Sequence, residues 1–169
     1  MREFPYGALI FIAILFIAGW YFFGFRKPAD DYRHATVVVG GQEFIVDIAD
    51  TATKQTLGLS GRASLGEREG MLFLFATSSP RTFWMKDMNF PIDLLWLQDD
   101  RVIGVEENMQ PELEKSVFGL KLYASPGLAN RVLEIPAGTV AQLGVKAGDS
   151  IGIGTKGPNH VLKSPGEED

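Results

Sequence analysis

A stretch with no charged residue constrains this chain more than any other feature. Residues 4–25 read FPYGALIFIAILFIAGWYFFGF, between Arg2 and Glu3 on one side and Arg26 and Lys27 on the other. As a helix rising about 1.5 Å per residue, this run would be about 33 Å long, enough for a hydrocarbon core of about 30 Å. Tyr6 lies near one end and Trp20 and Tyr21 near the other, where amphipathic rings favour the membrane interface. A helix apolar on every face has no side to show water, which argues against a soluble core helix. A cleaved signal peptide needs a shorter apolar run and small residues at its cleavage site, and Phe22, Phe23 and Phe25 crowd that zone. The expectation is a retained single-pass anchor over residues 1–27, with the bilayer as partner through residues 4–25. Arg26, Lys27 and Arg33 after the span outnumber Arg2 before it, so charge counting alone leans towards a cytoplasmic head.

Beyond the anchor, residues 28–35 form a polar linker opened by Pro28. Residues 36–155 show the spacing of a β-rich head. Two β-branched runs flank Gly40 and Gly41, a pair suited to a hairpin turn. In QEFIVDIA, Phe44, Val46 and Ile48 alternate with Glu43 and Asp47, so one face is buried. DTATKQTLG predicts a short helix capped by Asp50 or Thr51 and closed by Gly58. MLFLF predicts a strand buried on both faces. TFWMK, IDLLWLQ, RVIGVEE and NRVLEI predict further strands, and AGTVAQLG a second helical turn. The fold class expected is mainly β, α+β at the margin: a compact β-barrel or jelly-roll-like sandwich with two short helices, preceded by one transmembrane helix. Residues 156–169 have little to bury and predict a disordered tail.

Several chemistries are excluded. With no cysteine, the chain has no disulfide, thiolate nucleophile or cysteine–zinc site. Its two histidines, His34 and His160, lie in the linker and the tail, which removes a Ser–His–Asp triad and a histidine-rich metal site. No cofactor motif is present: GLSGRASLG lacks the Gly-Lys-Ser/Thr ending of a phosphate loop. The 21 acidic residues against 16 basic ones argue against a nucleic-acid partner.

Carboxylates and rings remain. RTFWMKDMNFPIDLLW, residues 81–96, concentrates large rings around a few charges. Sorted by a period of two, Trp84 and Lys86 share one strand face, and Asp93, Leu95 and Leu97 share another. Lys86 and Asp93 interrupt apolar strands, where a buried charge needs a partner. They either pair with each other across the turn or, with Trp84 as a stacking ring, hold a ligand. Asp93 with Glu134 or Glu106 is the alternative, an acid pair for glycoside hydrolysis.

The same segments resemble the family known as domain of unknown function 192. The resemblance is carried by TKQTLGLSGR, GMLFLF, FWMKDMNFPID, RVIGVEEN and RVLEIPAGTVAQLGVKAGD, and covers residues 37–153. Matching positions are Gly70, Trp84, Met85, Lys86, Pro91, Asp93, Glu134 and Gly138; Asp87 stands where family members often have Asn. The resemblance implies a small β-rich fold of jelly-roll or barrel type, often behind an N-terminal signal or anchor, and so a head outside the cytoplasm. It implies no reaction. The expectation that follows is a membrane-anchored envelope module that binds a polar small molecule or glycan through Trp84, Lys86, Asp93 and Arg62. Binding is preferred to catalysis; a hydrolase of envelope glycans and a structural protein-docking module are the alternatives.

Overall fold

A computed structural model describes residues 32–112 and 117–154. The anchor expected over residues 4–25 and the tail from residue 156 lie outside the described residues. Among the described residues, no helix is long and apolar enough to cross a membrane.

Among the described residues, nine strands and two short α-helices follow one another: β1 (His34–Val39), β2 (Gln42–Ala49), α1 (Ala52–Leu57), β3 (Glu69–Ser79), β4 (Thr82–Phe83), β5 (Ile92–Gln98), β6 (Arg101–Met109), β7 (Tyr123–Ala124), β8 (Ala129–Pro136), α2 (Thr139–Leu143) and β9 (Gly152–Gly154). Seven strands form one sheet in the order β6-β5-β8-β3-β2-β1-β9, and β4 and β7 form a separate pair. The large sheet curls. Just before β9, the edge strand beside β1, residues 148–151 bond to Asp100 and Val102 at the opposite edge. The result is a half-barrel, a coarser form of the barrel or sandwich expected.

The local reasons match the spacing. Gly40 and Gly41 take φ of 56° and 82°, the left-handed values a two-residue hairpin demands, and set Val39 opposite Gln42. The Thr51 side chain accepts from Lys54 N at the start of α1, and Gly58 ends it at φ 54°. Leu72 faces one core with Val46, Leu95 and Leu133, whereas Met71 and Phe73 face a second core with Trp96 and Val132. The MLFLF strand is thus covered on both sides, as its composition requires.

β1 begins at His34, inside the linker expected over residues 28–35, and two further features depart from the expectation. TFWMK does not continue as a strand, since β4 stops at Phe83. Asp87 takes a left-handed φ of 54°, and the backbone here bonds to the loop after α1: Gly61 N donates to Asp87 O and the Ser60 hydroxyl to Lys86 O. With its carbonyls engaged by that loop, the segment packs over the sheet as a cover instead of joining it. The second feature is a parallel pair, β2 with β3, in an otherwise antiparallel sheet. Parallel neighbours need a crossover. Residues 50–68 supply it, and they carry α1, Leu59 and Arg62 across the second core.

Gly70 shows how tightly β3 and β8 approach. A Cβ there would sit 2.5 Å from the Glu134 carbonyl oxygen, 3.1 Å from Val46 Cγ1 and 3.3 Å from Ile135 Cγ2. The carbonyl belongs to the β3–β8 ladder and cannot retreat without breaking it. Gly70→Ala is therefore expected to cost about 1–3 kcal/mol, the usual range for an overpacked core. A thermal melt at neutral pH checks this, and an unchanged midpoint would contradict so close an approach.

Candidate functional site

Strand register places one row of side chains across the second face of the sheet. His34, Asp47, Met71, Glu134, Leu94 and Glu106 are successive cross-strand partners from β1 to β6. The crossover lies above the β2 end of this row and the cover segment after β4 lies above its centre. Where these two coverings meet, Glu134 is 5% exposed, and its Oε2 has no hydrogen-bond partner among the described residues.

A small cavity of about 40 Å³ reaches this carboxyl. Gln55, Thr56 and Gly58 border it on the helix side, Phe73 and Phe83 on the sheet side, and Trp84 and Met88 on the cover side. Two wider surface depressions share Trp84 and Thr56 with it. One, about 690 Å³, runs past Ala52, Ser60, Lys86 and Asp87; the other, about 390 Å³, runs past Phe75, Arg81 and Thr82. Trp84 stands at their junction with 42% of its surface exposed. The arrangement is a groove with an aromatic ring at its centre and a buried acid beneath.

Burial governs that acid. It pushes the Glu134 carboxyl up to about 8, while the positive charge of Arg62 pulls the other way and loses. Arg62 is weak here because it is already engaged: its Nη2 donates to Asp47 Oδ2 at 2.6 Å and its guanidinium lies 5.5 Å from the Tyr32 ring centre. Met71, fully buried, stands between Asp47 and Glu134 in the row. At neutral pH Glu134 is consequently a neutral carboxylic acid, able to donate one hydrogen bond and accept another.

The four residues expected to form a site are not gathered in one place. Trp84 and Lys86 border the same depression, and Lys86 Nζ bonds the neighbouring Asp87 carboxylate. Arg62 reaches the site through its charge on Glu134. Asp93 is elsewhere. It pairs with Ile135, on the sheet face opposite Glu134, and is completely buried. Its Oδ1 accepts from Asn108 N and its Oδ2 from Val140 N, both at 2.8 Å. Gly138 precedes α2 without a side-chain cap, so Asp93 caps that helix from a neighbouring strand and also holds the left-handed Asn108. The Lys86–Asp93 pair weighed above is not formed, because each charge has a nearer partner. The acid pair fails too, since Asp93 lies on the opposite face from both Glu134 and Glu106, its neighbour Leu94 being their partner in the row.

Glu134 is one of the strand acids and of the matching motif positions, but no local pattern marks it as the acid onto which a cavity opens. Among the described residues, no cluster of three or more His, Asp or Glu side chains could hold a metal ion.

The comparisons with known proteins agree on the fold. The profile of the family DUF192, described as Uncharacterized ACR, matches residues 35–153. A solved protein from Sinorhizobium meliloti 1021, described as a "putative transcription regulator", is 30% identical with a TM-score of 0.64, over 72% of this chain and 95% of that one. A protein of unknown function from Novosphingobium aromaticivorans DSM 12444 is 30% identical with a TM-score of 0.62, over 75% of this chain and 89% of that one. None of the curated proteins matches the chain.

Proposed function

The chain belongs to the DUF192 family of uncharacterised domains, and from that premise we propose that it is a ligand-binding module of the cell envelope. Residues 4–25 tether it to the bilayer, the head faces outward, and the groove around Trp84 receives a polar small molecule or a glycan fragment. One observation carries the reading: three depressions share the exposed Trp84 ring and Thr56, and the innermost ends on a buried carboxyl whose Oε2 has no hydrogen-bond partner among the described residues. A concave surface with one flat ring and a few convergent polar groups suits a ligand that stacks and hydrogen-bonds. A formal charge of −5 gives no support for extending the Sinorhizobium protein's description to this chain.

Full-length protein in detergent, titrated with a panel of short envelope oligosaccharides, tests this by tryptophan fluorescence. The expected result is a saturable change with at least one member, lost in Trp84→Ala. Because Trp84 is 42% exposed, its truncation should cost about 1 kcal/mol or less of stability. A large drop in melting temperature with Trp84→Ala, or no response from the whole panel, would contradict the reading and favour a structural role. Shortening of a sugar during the incubation would replace binding with hydrolysis. Protease cleavage of the head on intact spheroplasts tests the orientation, and complete protection would reverse it.

A further inference from the structure

We propose that the cavity beneath Trp84 is a subsite for a primary ammonium group, so that the groove selects an amine-bearing ligand such as an amino sugar. This rests on the groove being a binding site and narrows what it binds. Size comes first. A cavity needs roughly 10–15 Å³ of such space for each water, so about 40 Å³ admits a C–NH₃⁺ head. The lining comes second. Three rings, Phe73, Phe83 and Trp84, and the thioether of Met88 border the space, and ring faces attract cations. The floor comes third. Glu134 Oε2 is buried without a hydrogen-bond partner among the described residues, an omission that costs free energy until a donor arrives.

The charged groups on the elements packed around Glu134 leave this role open. From the crossover, Arg62 is bonded to Asp47, and from α1 Lys54 lies over the Tyr32 ring, 5.0 Å from its centre. From the cover segment, Lys86 is bonded to Asp87. The adjacent row positions on β3 and β5 are the apolar Met71 and Leu94, with Glu106 on β6 beyond them. An anion would meet a carboxyl whose nearby cations among the described residues are each engaged elsewhere. A neutral hydroxyl would satisfy one oxygen and gain nothing from the rings.

Proton balance gives the proposal a signature. At neutral pH Glu134 holds its proton. Capture of R–NH₃⁺ ionises the carboxyl and sends one proton to solvent, leaving an ammonium–carboxylate pair. Apparent affinity for an amine should therefore rise with pH, by up to tenfold per unit, until about pH 8.

The test uses the full-length protein in detergent, labelled at its methionine methyl groups, with methylammonium chloride and the neutral isostere methanol as probes. The expected result is a saturable shift of the Met88 methyl resonance with methylammonium and none with methanol. Binding releases about one proton at pH 6.5, strengthens at least tenfold from pH 6 to pH 8, and is lost in Glu134→Gln. Equal responses to the two probes, a flat pH profile, or no Met88 shift would overturn the proposal. If Glu134→Gln fails to fold, the pH profile of the unsubstituted protein decides alone. An oligosaccharide that perturbs Trp84 while methylammonium does nothing overturns the subsite and leaves the groove intact. Methylammonium binding without any oligosaccharide response does the reverse.

Discussion

Glu134→Gln should make the protein markedly more stable at pH 9 while changing the pH dependence little below pH 4. The folded carboxyl titrates near 8 against an ordinary value of 4.5, because burial disfavours its ionised form. Below 4.5, both the folded and the unfolded chains carry the proton, and Glu134 adds no pH dependence. Between 4.5 and 8 the unfolded chain ionises and the folded one does not, so the folded state holds more protons and stability falls as pH rises. Above 8 the full penalty is in place, on the order of 5 kcal/mol at about 1.4 kcal/mol per pH unit. Glutamine keeps the shape and removes the titration. Its own amide adds an offset that is the same at every pH, so the slope is what identifies the effect. For a domain of this size the gain at pH 9 corresponds to roughly 10 °C or more in melting temperature. Parallel wild-type and Glu134→Gln melting curves between pH 4 and pH 9 would show that the carboxyl is ordinary after all.

Asp93→Ala should be the most destructive single change in the head. Truncation strands the amides of Asn108 and Val140, both held at 2.8 Å by the carboxylate. Left unsatisfied, the buried Val140 donor costs about 1–3 kcal/mol and the part-buried Asn108 amide less, and removal of the side chain adds a void. The total, about 3–5 kcal/mol, is a large part of the stability of any small domain. Much of the expressed protein should be insoluble, and the soluble fraction should have a melting temperature lowered by roughly 10 °C or more. That soluble fraction should still respond to any ligand of the Trp84 groove, because Asp93 lies on the other face of the sheet. Loss of ligand response with unchanged stability would put Asp93 in the site and contradict its capping role.

The contrast between these two acids shows how far residue patterns reach. Period two placed Asp93 with Leu95 and Leu97, and the structure keeps that grouping in the first core, with Leu94 and Trp96 in the second. The hairpin glycines, the capping Thr51 and both short helices were legible for the same reason: each is decided within a few residues. What covers a face is a long-range matter. Asp93 meets Val140 across 47 positions of sequence, and no local pattern records that contact. The parallel β2–β3 pair was hidden because its crossover holds only a six-residue helix, too short to signal one. The crossover determines where α1 lands, hence where the cavity opens, hence that Glu134 and not Asp93 faces it. TFWMK misled in the opposite direction: its alternation suits a strand, but the carbonyls of Lys86 and the following Asp87 accept from Ser60 and Gly61 in the loop. Trp84 was legible as a ring beside charge, while its place above a buried acid was not.

Glu134 as a neutral acid beneath Trp84 underlies both the groove and its preference for amines. A carbon-13 titration of the glutamate side-chain carboxyls, with the Glu134 resonance assigned by its absence in Glu134→Gln, measures this directly. A midpoint near pH 8 is the predicted result. A midpoint near 4.5 would mean the carboxyl is hydrated or paired in solution, and both the groove's buried acid and its preference for amines would be contradicted.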